Sequence, residues 1–282
     1  MGRFSTISVE SNGSFARLTL NRPARRNAID GRMVTELREL FEELTREQSL
    51  RGIVLAATGS VFCAGADIQW MQSAAPVSHS QAMDDARHLT LMFRAIDECP
   101  CPVIARVQGP AFGGGIGLMA VCDIVVAAED ATFSLSEARL GLIPAVIAPF
   151  LLRKTGESFL RRYCLTGETF SASAAHRSGL VHDVVPPSDL DDRITEVVEA
   201  IMRLAPQAVR ESKALIHRIV PLSDGDRWAA CTAANAGARG GPEAEEGLRA
   251  FVERRLPRWA KPEESTMKPD AQGAPDVAAR RT

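Results

Sequence analysis

Glycines 113–115 stand in the segment Gln108-Gly-Pro-Ala-Phe-Gly-Gly-Gly-Ile-Gly117, between an apolar run ending at Val107 and another beginning at Asp123. Residues without side chains let backbone come close to a ligand. If they also open a helix, the unpaired N–H groups of its first turn and its dipole point at that ligand. Such a turn suits a phosphate, or an oxyanion forming on a carbonyl. A phosphate loop of the Walker type needs Lys-Ser/Thr after the glycines, and Ile116 and Gly117 stand there instead. Gly115-x-Gly117-x-x-Ala120 fits the dinucleotide fingerprint, with Glu137 about 20 residues on. The strand starting at Asp123, however, leaves a helix too short for a comfortable crossover. A structural cluster that packs helix on strand stays open for this segment taken alone.

Two other segments tilt the balance. Ser60-Val-Phe-Cys-Ala-Gly-Ala-Asp-Ile68 is a second small-residue turn, again after an apolar run and before a short helical stretch, Ile68-Gln-Trp-Met71. Two such turns could aim two backbone N–H groups at one point, the geometry that polarises a thioester carbonyl and stabilises an enolate. Either turn alone is also an ordinary tight connection. In Ala131-Thr-Phe-Ser-Leu-Ser-Glu-Ala-Arg-Leu-Gly-Leu-Ile-Pro144, Glu137 follows a short strand at Thr132–Ser134. Ser134 or Ser136 could cap a helix there, and Glu137 is either a dipole partner at its start or an acid–base group.

These segments need elements to hold them. Ile7–Glu10 and Phe15–Leu20 alternate around Asn12-Gly13, which predicts a hairpin. Asp30 can cap a helix with Met33, Val34, Leu37, Leu40, Phe41 and Leu44 on one face. Strands are expected at Gly52–Ala57, Val103–Val107, Asp123–Ala127 and Val181–Val185, with a long helix from near Ser80 to Asp97 stopped by Pro100 and Pro102. Alternating strands and helices give an α/β class. Helices are expected at 189–204, 206–219, 224–237 and 242–254. The divisions are a core over 1–190, a helical module over 191–258 and a disordered polar tail over 259–282.

Composition sets the outer limits. The chain has 282 residues, 45% hydrophobic and only 5% aromatic, so an aliphatic core is required. Lys+Arg 33 against Asp+Glu 35 leaves a net charge of −2, which offers no overall footprint for nucleic acid. The six cysteines form no CxxC pair and the five histidines no HExxH, so no metal site is expected. Cys63 reads as a packing residue beside its turn. With no apolar leader and no membrane-spanning run, a cytoplasmic protein is expected.

The motifs resemble the enoyl-CoA hydratase/isomerase (crotonase) family. The matching pieces are Asn21-Arg-Pro…Asn27-Ala28, Phe62-Cys-Ala-Gly-Ala-Asp-Ile68, Ala111-Phe-Gly-Gly-Gly115, Cys122-Asp123 and Phe133…Glu137…Leu140-Gly-Leu-Ile-Pro144. Leu165-Thr-Gly-Glu168, Ser178-Gly-Leu-Val181, Ser212-Lys213 and Glu246-Gly247…Arg255 follow in order, so the resemblance spans about residues 5–258. It implies a ββα spiral core with a mixed double sheet, and a C-terminal helical oligomerisation module that assembles trimers or dimers of trimers. It implies that the N–H groups of Ala66 and Gly114 form an oxyanion hole and that Glu137 is the acid–base carboxylate. Ala64, Asp67, Ile68 and Gly113 fall on the acyl-CoA turns. Arg25, Arg26, Asn27 and Ala28 fall where the CoA nucleotide lies, as do Phe251 and Arg254, in some members from a neighbouring subunit. No cofactor beyond the substrate's own CoA is implied.

One position departs from the pattern. Hydratases of this family carry a second Glu three residues after the oxyanion-hole glycine, and here that position is Gly117. The resemblance therefore leaves two reactions open, hydration by a single Glu or Δ3,Δ2-enoyl-CoA isomerisation. A non-catalytic CoA- or RNA-binding relative is a third reading. Closer likeness, in Leu135-Ser-Glu-Ala-Arg and Pro144-Ala-Val-Ile-Ala-Pro-Phe150 among others, is to bacterial methylglutaconyl-CoA and isohexenylglutaconyl-CoA hydratases of leucine and acyclic-terpene breakdown. Their substrates carry a second carboxylate, for which Arg139, Arg153 and His88 are candidate partners.

Overall fold

The computed structural model describes residues 3–73 and 78–260. In chain order the strands and helices are β1 (Ile7–Asn12), β2 (Phe15–Leu20), α1 (Gly31–Leu44), β3 (Gly52–Ala57), α2 (Ile68–Ser73), α3 (His79–Asp97), β4 (Val103–Val107), β5 (Ala111–Phe112), α4 (Gly114–Val121), β6 (Ile124–Ala128), β7 (Thr132–Ser134), α5 (Ala148–Thr166), β8 (Thr169–Ser171), α6 (Ala172–Arg177) and β9 (Asp183–Val185). Helices α7 (Leu190–Met202), α8 (Pro206–Ile219), α9 (Asp224–Arg239) and α10 (Pro242–Val252) complete the fold.

Two sheets form, as the resemblance implies. The larger has the order β1-β2-β3-β4-β6-β9, antiparallel only at β1/β2, and the smaller is β5-β7-β8. The hairpin turns one residue later than predicted, at Gly13-Ser14, because Asn12 still pairs with Phe15. Gly13 supplies the positive φ of 59° that this two-residue turn needs.

Burial on both faces explains the aliphatic runs. Ile53 and Leu55 on β3, Val103 and Ala105 on β4 and Val125 on β6 point into the main core, with Met33, Leu37 and Phe41 of α1 and Met92, Phe93 and Ile96 of α3. The alternate residues Val54, Ile104 and Val126 face the other way, onto Leu190, Ile194, Val197 and Ile201 of α7. Thus α7, placed in the C-terminal module by the sequence, seals the outer face of the sheet. Its apolar stripe matched a helix equally well in either setting. Asp30 caps α1 as predicted, accepting from the Met33 N–H at 2.8 Å. The short strands β5 and β8 and the helices α5 and α6 escape the sequence reading. Two or three residues of β-structure carry no periodicity, and Gly156, at φ 74°, breaks the pattern of α5. Most of the expected disordered tail, 261–282, lies outside the described residues.

Candidate active site

The two small-residue turns meet. Cys63 and Ala111 form a parallel bridge, and the Phe112 N–H donates to the Cys63 carbonyl at 2.9 Å. Gly65 has φ +85°, and a Cβ there would stand 2.8 Å from the Phe112 oxygen and 3.5 Å from the Gly114 nitrogen. Gly115 is equally confined, since its Cβ would approach the Cys63 oxygen to 2.5 Å. The glycines therefore exist so that one backbone can lie against another.

That contact leaves two donors over. Ile29 bridges Ala66 from the other side, giving its N–H to Gly65 O at 2.7 Å and accepting from Asp67 N at 2.9 Å. In a parallel bridge the middle residue's own N–H points away from the partner, and this residue is Ala66. Gly114 is the first residue of α4, so helical geometry gives its N–H no partner. Among the described residues neither N–H donates to a protein acceptor. A Cβ on Gly114 would be 3.9 Å from the Ala66 nitrogen, so the two groups are neighbours. Paired free donors at a helix start can hold an oxyanion.

Glu137 reaches the same place. A Cβ on Gly113 would come within 2.9 Å of its Oε1 and 3.3 Å of its Cδ, so the carboxylate lies directly on the glycine turn. Gly113 itself takes φ 46°, ψ −114°, a conformation that suits glycine alone. Burial pushes the Glu137 carboxyl above the ordinary carboxylate range, and its Oε2 is buried with no hydrogen-bond partner among the described residues. Neither serine caps the 3-10 turn that starts at Glu137: Ser134 Oγ instead donates to the Gly167 carbonyl at 2.9 Å. That bond ties β7 to the end of α5 and fixes the approach to Glu137.

Gly117 faces an apolar plug. A Cβ there would overlap Ile147 Cγ2 and come within 3.0 Å of the Phe93 ring. No second carboxylate has room on this side of α4.

The remaining predicted residues divide into scaffold and surface. Asn27 is fully buried; its Oδ1 accepts from the Arg22 N–H at 2.9 Å and its Nδ2 donates to the Thr58 and Val61 carbonyls at 2.8 and 2.9 Å. Asp67 is buried too; despite that burial, hydrogen bonds from Trp70, Arg22 and Gln69 lower its pKa. Ala28 gives its carbonyl to Arg22, and Ala64 donates to Arg26 O at 2.9 Å. Arg25, Arg26, Ala66 and Ile68 are exposed beside this loop. Phe251 and Arg254 are exposed at the end of α10, and no hydrogen bond or ion pair among the described residues joins them to either turn. Cys63 is the packing thiol expected, its Sγ 3.1 Å from Asn27 O and its pKa pushed up to about 12 by burial. Of the candidate partners for a substrate carboxylate, all exposed, Arg139 donates to the Gly167 carbonyl at 2.8 Å, Arg153 pairs with Asp97, and His88 lies on α3.

Sequence reasoning missed the clasp made by Arg22. Its guanidinium binds Asp67 at 3.0 Å and Asp30 at 2.9 Å, joining the first loop to the second turn. No local pattern could have paired positions so far apart. Ile147 and Phe93 were equally invisible as the fillers of position 117.

A two-sheet spiral whose glycine turns lie against each other beside a buried carboxylate defines a protein of the crotonase fold class. AtuE of Pseudomonas aeruginosa has the same fold, with a TM-score of 0.88 at 37% identity over 91% of this chain and 100% of that one. An enoyl-CoA hydratase from Shewanella pealeana gives 0.87 at 36% identity, over 91% and 97% of the two chains. The chain belongs to the enoyl-CoA hydratase/isomerase family, which it matches over residues 10–262. Among relatives, the mevalonyl-coenzyme A hydratase sidH of Aspergillus fumigatus is 34% identical over 86% of this chain and 90% of its own. The enoyl-CoA hydratase ACTT6 of Alternaria alternata is 34% identical over 77% and 75%.

Proposed function

We propose that this protein is an acyl-CoA hydratase that adds water across the 2,3 double bond of an enoyl thioester. The observation that carries this reading is the convergence of Glu137 with the free N–H groups of Ala66 and Gly114. The thioester oxygen accepts from both donors, so charge that develops on it as the enolate forms is stabilised in place. Glu137, as the carboxylate, takes a proton from water as its oxygen adds at Cβ; as the acid, it returns a proton to Cα. The unpartnered Oε2 suits an atom that must bind a water. A glutaconyl-type substrate fits a site with one carboxylate, because the substrate's second carboxylate can help hold the water. Arg25, Arg26 and Arg254 supply the cations that a CoA phosphate needs in a chain with net charge −2.

The isomerase reading has its own support in the plug of Ile147 and Phe93, which removes the second water-holding group. A single Glu137 can carry a proton between carbons on the same enolate. Incubation with 2-enoyl-, 3-enoyl- and 3-methylglutaconyl-CoA, followed by mass, separates the two: hydration adds one water, isomerisation leaves the mass unchanged while the double bond moves. Glu137→Gln lowers the rate of either reaction by about 10²- to 10⁴-fold, and full activity in that variant would falsify the mechanism.

Assembly into trimers or dimers of trimers through the C-terminal helices is part of the same proposal. Phe251 is 83% exposed and Trp228 73% exposed on a single chain, and α9 contributes no buried residue. Light scattering of the purified protein reads the stoichiometry.

A further inference from the structure

The cysteines do not share one environment. Cys63, Cys99, Cys101 and Cys122 are all buried, and in Cys63 and Cys122 burial pushes the thiol up to about 12, so neither of those two readily forms a thiolate. Cys164 and Cys231 are partly exposed, and neither meets a second sulfur among the described residues. Cys99 and Cys101 are different. Only Pro100 separates them, where the chain bends between α3 and β4, and their sulfurs lie 3.6 Å apart.

The surroundings of the pair favour chemistry between them. The Lys213 ammonium, itself buried, donates to the Cys101 carbonyl at 3.1 Å and to Asp123 Oδ2 at 2.6 Å. It holds a positive charge beside the two sulfurs, against the opposing charge of Asp123. The hydrogen bond between the two sulfurs, with help from that ammonium, lowers the Cys99 pKa; the same hydrogen bond, with burial, raises that of Cys101. The hydrogen bond between the sulfurs and the nearby ammonium together favour one thiolate in the pair. A cavity of about 510 Å³ lies against Pro100, with Arg46, Gln207, Arg210 and Ala214 in its other walls. The cavity touches Pro100 but neither sulfur, so a peroxide meets Cys99 when this turn opens locally.

We propose that Cys99 and Cys101 are an oxidisable dithiol site, in which a hydroperoxide converts two neighbouring thiols to one disulfide. The Cys99 sulfur attacks a peroxide oxygen, the O–O bond breaks, and the leaving oxygen takes the thiol proton and departs as water or alcohol. The Cys101 sulfur then attacks the Cys99 sulfenic acid, the S–O bond breaks, and the hydroxyl leaves as water with the Cys101 proton. Two thiols are oxidised and one peroxide is reduced. The sulfurs must close from 3.6 Å to about 2.05 Å, a tightening of the turn at Pro100, which borders open space.

Stepwise treatment of the full-length protein with hydrogen peroxide tests this. Free thiols are then blocked with iodoacetamide under denaturing conditions, and tryptic peptides are weighed. Residues 95–106 fall in one peptide that contains both cysteines. It should lose two hydrogens and take up no blocking group at doses where Cys63 and Cys122 are still fully blocked. Dithiothreitol should restore both thiols. In Cys101→Ser, oxidation should stop at a Cys99 sulfenic acid that dimedone traps. The proposal is overturned if Cys164 or Cys231 is oxidised while peptide 95–106 still takes two blocking groups, or if Cys99 goes on to a sulfinic acid with Cys101 free. Because the wild-type map decides alone, a Cys101→Ser chain that fails to fold leaves the outcome clear.

Discussion

The turns of the spiral core and the helices of the C-terminal module treat glycine in opposite ways. At Gly65 and Gly115 an added methyl would strike backbone of the facing turn, whereas at Gly225 and Gly237 of α9 it would meet nothing within 4 Å. The core turns need bare backbone because one turn lies directly against the other. In α9 the glycines do no packing within the chain, and the large apolar residues nearby face outward. Tight packing marks the region proposed to position chemistry; open apolar faces mark the region proposed to meet other copies of the chain.

Four variants and one pH profile can break or sharpen that contrast. Glu137→Gln should lower kcat/KM by about 10²- to 10⁴-fold, as removal of a general acid–base does. The same change should leave the fold intact or slightly firmer, since it removes a buried, unpartnered carboxylate oxygen. In the wild type the Glu137 base is lost as pH falls, with a midpoint above the ordinary value of 4.5 because burial raises its pKa. A kcat/KM profile flat down to pH 4 breaks the assignment.

Gly65→Ala should cost about 3–4 kcal/mol in chemical denaturation, because φ +85° and the Phe112 oxygen both oppose a methyl. A smaller effect concerns the far edge of the core. Burial opposes ionisation of Glu36, yet hydrogen bonds from Thr6, Arg32 and Ser5 outweigh it and lower its pKa to about 2. A depressed carboxyl stabilises the fold above its unfolded pKa of 4.5, and that stability is lost as pH falls from there toward about 2. Glu36→Gln should cost about 2–3 kcal/mol at neutral pH and flatten the acid limb of the stability curve. At the mild end, Gly237→Ala in α9 should raise stability by about 1 kcal/mol, through helix propensity alone. A fall in stability together with a smaller particle in light scattering would instead show that a neighbouring chain packs onto Gly237.

Much of the frame was readable from residue order. Alternation of apolar residues located β1 and β2, short apolar runs located β3, β4 and β6, and the 3.6-residue period with Asp30 located α1. The helices expected at 206–219 and 224–237 correspond to α8 and α9, α9 running on to Arg239. Strands β5 and β8 were not readable, since so few residues owe their conformation entirely to partners across the smaller sheet. Ser134 misled for a related reason: a serine near a helix start has a local use, and here a distant carbonyl took its hydroxyl.

By itself the sequence determined what was local or periodic: an aliphatic α/β core, the two small-residue turns, the isolated Glu137 and the missing carboxylate at Gly117. Tertiary structure alone decided that the turns touch, that Ala66 and Gly114 are left with free donors, and that Glu137 lies on Gly113. It also decided that Ile147 and Phe93 occupy the space beside Gly117, and that Arg22 clasps Asp30 and Asp67. Local preferences act over a few residues and leave a pattern in the order of the chain. Contacts between segments dozens of residues apart are set by how the sheet and helices pack, and no spacing within one segment records them.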